Sequence, residues 1–338
     1  MADLGVTWLG LKLRSPFVVA ASPISQDPAA ARQAAANGAG AIVMHSLFEE
    51  QLAEEQMAVH RLLDSQMDRN AEASSYMPDA LFALDGEGYL AELAALRTAV
   101  DVPVVASLNG TTPGGWTLYA RRLADAGADA LELNLYDIAT QAIESSDAIE
   151  RRQLALVESV VSAVSIPVAV KLSPFYTALP AFVRRLEEVG VRGVTVFNRL
   201  YEPLVDLDTL DVRRQLDLST ATELPQRLHA LAVLSVTSEL SLACSGGVHS
   251  GHHAAQAIAC GANVVQVASV LLTQGPDRLA GLVAELQSWL DMHGYSQAAA
   301  LRGVLNLNRS PDPSAWTRLN YIRTLDGWRA DSRRRTSS

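Results

Sequence analysis

Eight short apolar runs recur along the chain with helical stretches between them: residues 16–22 (PFVVAAS), 41–46 (AIVMHS), 102–108 (VPVVASL), 130–135 (ALELNL), 167–172 (PVAVKL), 193–198 (GVTVFN), 240–245 (LSLACS) and 264–269 (VVQVAS). Several are almost continuously apolar, which is expected of strands buried on both faces rather than of a sheet with one wet side. The intervening Ala/Leu-rich segments end in Asn37-Gly38, Ala126-Gly127, Val189-Gly190 and Cys260-Gly261, where glycine closes a helix in the left-handed conformation. This regular strand, helix, glycine, strand spacing predicts an α/β fold, a (β/α)8 or TIM barrel, with an open doubly wound sheet as the alternative. No GxGxxG follows the first run, so a dinucleotide-binding domain has little support.

The 338 residues suffice for one barrel with additions. We read residues 1–303 as the barrel and 304–338 as a tail, whose Trp316, Tyr321 and Trp328 pack on the barrel or on a neighbouring subunit. A long insertion at 47–88 starts with helical spacing and continues as a polar stretch; it is a cover for the active face or a solvated excursion. The net charge of −10 argues against a nucleic-acid surface, and the one basic run, Arg333 to Arg335, lies at the terminus. Two cysteines are too few for an iron–sulfur cluster or a closed zinc site. With Asp3, Lys12 and Arg14 interrupting its first residues, the chain shows no signal-like or membrane-spanning run, and the expected location is cytoplasmic.

Chemistry is expected at the strand ends. The seventh run leads into Ser245-Gly246-Gly247-Val248-His249-Ser250-Gly251 and the eighth ends in Ala268-Ser269, the two places where barrels build phosphate sites. Gly246 and Gly247 let backbone N–H groups approach an anion, and Ser250 is placed to cap the next helix. Lys171 sits inside an apolar run, so it needs an anionic partner or a catalytic role, such as stabilising the anionic edge of a reduced flavin; a structural ion pair is the alternative. Asn109, Asn134 and Asn198, near the ends of three runs, suit the donor and acceptor pattern of a flavin edge or a planar amide-containing substrate. His249, His252 and His253 have no nearby carboxylate or cysteine in sequence, and no metal site is expected. No Gly-x-Ser-x-Gly turn supports hydrolysis.

The run SGGVHSGHHAAQAIACGANVVQVASVLLTQG, together with VAVKLSP and ELNL, resembles the dihydroorotate dehydrogenases, with similarity extending from about residue 15 to 300. LNGTTPGGW and SPDPSAWTRLNY resemble a divergent group of dihydroorotate dehydrogenase-like proteins. The resemblance implies an FMN-dependent oxidation of dihydroorotate to orotate in pyrimidine biosynthesis. It implies that Ala21 and Ser22 lie beside the flavin, that Asn134 and Lys171 bond it, that Asn198 faces flavin and substrate, and that Gly246, Gly247, Ala268 and Ser269 take the phosphate.

The chain also departs from that family. Where the family's catalytic loop reads Asn-x-Ser-Cys-Pro-Asn or has Ser as base, this sequence reads Asn134-Leu135-Tyr136-Asp137-Ile138-Ala139. Asp137 stands at the base position, with Tyr136 as the reserve, and Ala139 replaces a substrate-binding Asn. His45 stands for a second family Lys, Ser75 for a substrate-binding Asn, and Pro23 for a Gly. The alternatives left open are an FMN oxidoreductase acting on another reduced heterocycle or enoyl compound, a non-catalytic flavin-binding partner protein, and a colourless metal-dependent or Schiff-base lyase using Lys171. The expected partners are a small-molecule substrate, an unidentified electron acceptor such as a redox protein, and a second copy in a homodimer.

Overall fold

The computed structural model describes residues 1–48, 86–110, 116–199, 203–213, 215 and 217–336, with side chains described as far as Trp328. Two small antiparallel hairpins, β1 (Val6–Trp8) with β2 (Leu11–Leu13) and β9 (Leu204–Asp206) with β10 (Asp211–Arg213), lie outside the main sheet. The main sheet holds β3 (Phe17–Val19), β4 (Ala41–Phe48), β5 (Val104–Asn109), β6 (Ala130–Asn134), β7 (Val168–Leu172), β8 (Gly193–Val196), β11 (Ser241–Ser245) and β12 (Val264–Val267). These are the eight predicted runs. They form a closed parallel barrel, shut where Val265, Gln266 and Val267 pair with Phe17, Val18 and Val19, which excludes the open sheet.

The helices wrap the outside: α1 (Pro28–Ala36), α2 (Gly86–Ala99), α3 (Trp116–Asp125), α4 (Ser146–Val161), α5 (Leu179–Glu188), α6 (Leu224–Thr237), α7 (Gly251–Cys260), α8 (Ser269–Gln274), α9 (Arg278–Met292), α10 (Ala298–Leu301) and α11 (Leu319–Thr336). The predicted glycines after α1, α3, α5 and α7 have φ of +101°, +95°, +95° and +128°. Most of the expected insertion, residues 49–85 with Ser75, lies outside the described residues; Phe48 ends β4 and Gly86 begins α2. In the tail, Trp316 packs against the core, whereas Tyr321 and Trp328 on α11 are each 70% exposed.

Along its axis the barrel changes from apolar to polar. At the N-terminal end, β1 and β2 turn through Leu9 (φ +54°) and Gly10 (φ +82°) and plug the barrel with Trp8, Leu9 and Leu13. These pack on inward residues such as Val43, Val105, Ala169 and Val264. A Cβ on Gly193 would lie 2.4 Å from the Leu9 side chain, so the plug requires glycine there. One level higher the inward residues are Glu132, Lys171, Thr195 and Gln266, all buried. Two-residue strand periodicity puts each of these on the same face as an apolar or absent side chain beneath it. The polar end is therefore the C-terminal end, where barrels place their sites.

Candidate active site

At that end a cleft of about 810 Å³, counted to its open mouth, lies between the loops after β3, β8, β11 and β12. Ala21, Ser22 and Pro23 form one wall, Phe197, Asn198 and Arg199 another, and Gly246, Gly247, Ala268 and Ser269 a third; Lys171 and Gln266 form the floor. Of the expected cofactor residues, the fold thus gathers Ala21, Ser22, Lys171, Asn198, Gly246, Gly247, Ala268 and Ser269 around one space.

The glycine pair has φ of +90° and +81°. A Cβ on Gly247 would lie 2.7–2.9 Å from the backbone and Cβ of Leu224, and one on Gly246 would lie 3.0 Å from the Arg227 guanidinium. Glycine is thus needed first to admit the start of α6 and the Arg227 side chain, a requirement beyond the open backbone expected from sequence. Arg227 is buried, donates to the Ser245 carbonyl (3.0 Å) and the Glu223 carbonyl (2.9 Å), and pairs with the Glu223 carboxylate at 3.2 Å. Burial pulls the Arg227 guanidinium below its ordinary pKa. Burial also pushes Glu223 up, but hydrogen bonds from Arg199 (2.7 Å) and the Thr220 N–H, with the two arginine charges, outweigh it and hold the carboxyl below its ordinary value. Ser219 braces the same corner: its hydroxyl lies 2.8 Å from that of Ser269 and 3.4 Å from the Gly247 N–H that donates to it.

Two groups in the cleft are left over. Among the described residues, neither Ser22 Oγ nor Arg199 Nε has a hydrogen-bond partner, although both atoms are buried and both residues line the cleft. An orphaned buried hydroxyl or N–H is costly, so a pocket that carries two of them is built for a polar ligand. The donor set fits an anionic, planar cofactor: Ser22 and Arg199 wait for acceptors, glycine backbone faces the same space, and the Lys171 ammonium is on the floor.

The remaining candidates lie elsewhere on the rim. The Asn134 amide donates to Ser107 Oγ (2.9 Å) and Ser46 Oγ (3.0 Å), and Asn109 pairs beside it in register at the end of β5. Neither Tyr136 nor Asp137 lines the cleft; the Asp137 carboxylate accepts a 2.6 Å hydrogen bond from Arg152, which also pairs with Glu144. His45 turns outward at a register shift in β4, its ring edge-on to Tyr89 and 3.5 Å from the Glu92 carboxylate on α2. Burial lowers its pKa to about 4.

The model of the dihydroorotate dehydrogenase family matches residues 3–290. The chain belongs to the dihydroorotate dehydrogenase family. It is 30% identical over 214 residues to a protein of Aeropyrum pernix assigned as dihydroorotate dehydrogenase A (fumarate), covering 60% of this chain and 67% of the relative. To the catalytic subunit of dihydroorotate dehydrogenase B (NAD(+)) of Methanosarcina acetivorans it is 28% identical, covering 64% and 71%. To dihydroorotate dehydrogenase A (fumarate) of Lacticaseibacillus paracasei it is 28% identical, covering 50% and 60%. The family consists of flavin-dependent oxidoreductases acting on CH–CH groups.

Sequence reasoning missed Arg199, Ser219, Glu223 and Arg227 at the anion end, Gln266 in the floor, and Glu132 and Thr195 beneath it. Glu132 and Gln266 were detectable by the argument applied to Lys171, since each is a polar residue inside an apolar run. Arg227 looks like a solvated charge on an amphipathic helix until α6 is packed, and Ser219 has no sequence signal.

Proposed function

We propose that this chain binds FMN in the cleft and oxidises dihydroorotate to orotate. The observation that carries the reading is the cleft itself, in which glycine backbone, two orphaned polar groups and a floor ammonium surround one space. Bound FMN supplies the hydride acceptor for the substrate C–H. Backbone N–H groups at Gly246, Gly247, Ala268 and Ser269 would hold the phosphate, with the Arg199–Glu223–Arg227 cluster adding one net positive charge nearby. Ser22 would donate to the ring system, and Lys171 would hold positive charge where negative charge develops. Asn134 and Asn198 would face the substrate, with Asn109 beside Asn134. Asp137 would take the substrate proton, with Tyr136 as the alternative acceptor. His45, turned towards α2, is outside this set.

Two observations favour a second reading. Asp137 is held by Arg152, and an alanine, Ala139, stands where the family has a substrate-binding Asn. Both changes favour an FMN oxidoreductase acting on a different reduced heterocycle or enoyl compound. The visible spectrum of the purified protein and the mass of the released cofactor test FMN first. Anaerobic reduction with dihydroorotate then decides the substrate: bleaching of the flavin supports orotate formation, and bleaching only by other donors supports the second reading. A flavin that no donor reduces would make the chain a binding partner.

For the oxidative half, relatives named for fumarate and for NAD(+) define two acceptor types to supply in turn, with a partner redox protein as the third. Among the described residues no helix is long and apolar enough to cross a membrane; a cytoplasmic location is part of the proposal and rests on the low cysteine content. A homodimer would cover Tyr321, Ile322 and Trp328, exposed on α11, and light scattering measures it directly.

A further inference from the structure

Beneath the cleft, four side chains from four strands close a ring of hydrogen bonds. The Glu132 carboxylate, fully buried and outside the cleft lining, accepts from Lys171 Nζ at 3.2 Å, from Thr195 Oγ1 at 2.9 Å and from Gln266 Nε2 at 2.5 Å. Gln266 Oε1 accepts a second Lys171 N–H at 3.2 Å. An ammonium has three N–H donors, so one remains, and Lys171 lines the cleft. A carboxylate with no water contact is tolerated only when paired and fully bonded, which this one is.

We propose that Glu132 is a positioning residue that fixes Lys171 and Gln266 at the floor and, by cancelling the ammonium charge, sets how strongly the floor favours an anionic ligand over a neutral one. The proposal rests on the FMN reading above. Charges shielded from water act over several ångströms with little screening, so a buried carboxylate in contact with the floor ammonium offsets its charge towards the cleft. The formal charge of the pair is zero in the native chain, +1 in Glu132→Gln, −1 in Lys171→Met, and zero again in the double variant. The midpoint potential of bound FMN reads this series, because the reduced cofactor is the more anionic form.

The experiment compares FMN content and dye-equilibrated midpoint potential in the four proteins. Glu132→Gln should favour the reduced form about tenfold, a rise of about 30 mV for a two-electron couple. Lys171→Met should lower the potential by a similar amount, and the double variant should return to within about threefold of native, a cycle that isolates the coupling. Should Glu132→Gln fail to fold with its lysine left unpaired, the double variant, which buries no net charge, still decides the matter. A double variant with the low potential of Lys171→Met would overturn the proposal, leaving Glu132 a scaffold. Native protein without flavin would instead sink the FMN reading, so the two failures are distinct.

Discussion

The two halves of the barrel mouth are finished differently. On the side of β3, β8, β11 and β12, glycines admit a buried arginine, and two buried polar atoms of residues that line the cleft, Ser22 Oγ and Arg199 Nε, have no partner among the described residues. On the side of β4, β5 and β6 the Asn134 amide N–H group is already bonded, to Ser46 and Ser107, and the following loop ties Asp137 to Arg152. A preorganised half with unmet hydrogen bonds is a place where a ligand docks onto a fixed surface. A half whose groups satisfy one another must exchange bonds before it can hold anything. On the proposed reading the cofactor end is thus ready-made, and the substrate end is where this chain can differ from its relatives.

The contrast breaks most readily at the glycines. Gly247→Val places a branched Cβ against the Leu224 backbone at a φ of +81°, and we expect FMN affinity to fall about 100-fold, from ~3 kcal/mol of strain. Fluorescence titration of apoprotein with FMN measures it; native affinity would move the anion site away from this loop. The other half should respond in rate and not in binding. If Asp137 takes the proton, Asp137→Asn slows anaerobic flavin reduction by dihydroorotate about 100-fold while FMN content is unchanged. Equal rates would return Asp137 to the role of a structural partner for Arg152 and pass the proton to Tyr136.

This division also explains what the sequence made legible. Strand positions followed from runs such as VVQVAS because burial on both faces leaves a continuous apolar record, and the glycines of the β11 loop were visible because only glycine tolerates that backbone. The glycines' neighbours were not visible, since Arg227 and Ser219 reach Gly246 and Gly247 only after α6 and its preceding loop have packed. The outward turn of His45 was not visible for a related reason. Simple alternation along β4 gives no warning of the register shift between Val43 and Ser46, and it is after this shift that Ser46 faces inward while the imidazole meets α2. The β1–β2 plug went unnoticed because three-residue strands leave no periodic signal.

A finer probe of the ready-made half is Ser22, whose hydroxyl has no described partner. Ser22→Ala should weaken FMN about fivefold, the equivalent of one ~1 kcal/mol hydrogen bond, and should leave thermal stability of the apoprotein unchanged or slightly raised. A marked loss of apoprotein stability would show that the hydroxyl has a structural partner instead.

The smallest effect concerns the outer wall of the other half, where His45 is half-buried beside Glu92. Burial lowers the imidazole from 6.5 to about 4, so the folded protein holds it neutral while the unfolded chain protonates it near pH 6.5. The unfolded state therefore binds the extra proton first. The stability associated with a neutral His45 is fully present above pH 6.5, falls as the solution is acidified, and is gone below about pH 4. Glu92 acts in the opposite sense. Its carboxyl is raised by burial, so protonating it on acidification favours the folded state, and the total pH profile mixes the two. The useful quantity is thus the difference in denaturant midpoint between native protein and His45→Gln. That difference should be constant above pH 7 and shift in favour of the variant between pH 6.5 and 4. A flat difference across that window would mean that the imidazole is open to water, with the β4 side of the mouth as loosely packed on its outer face as the cleft is on its inner one.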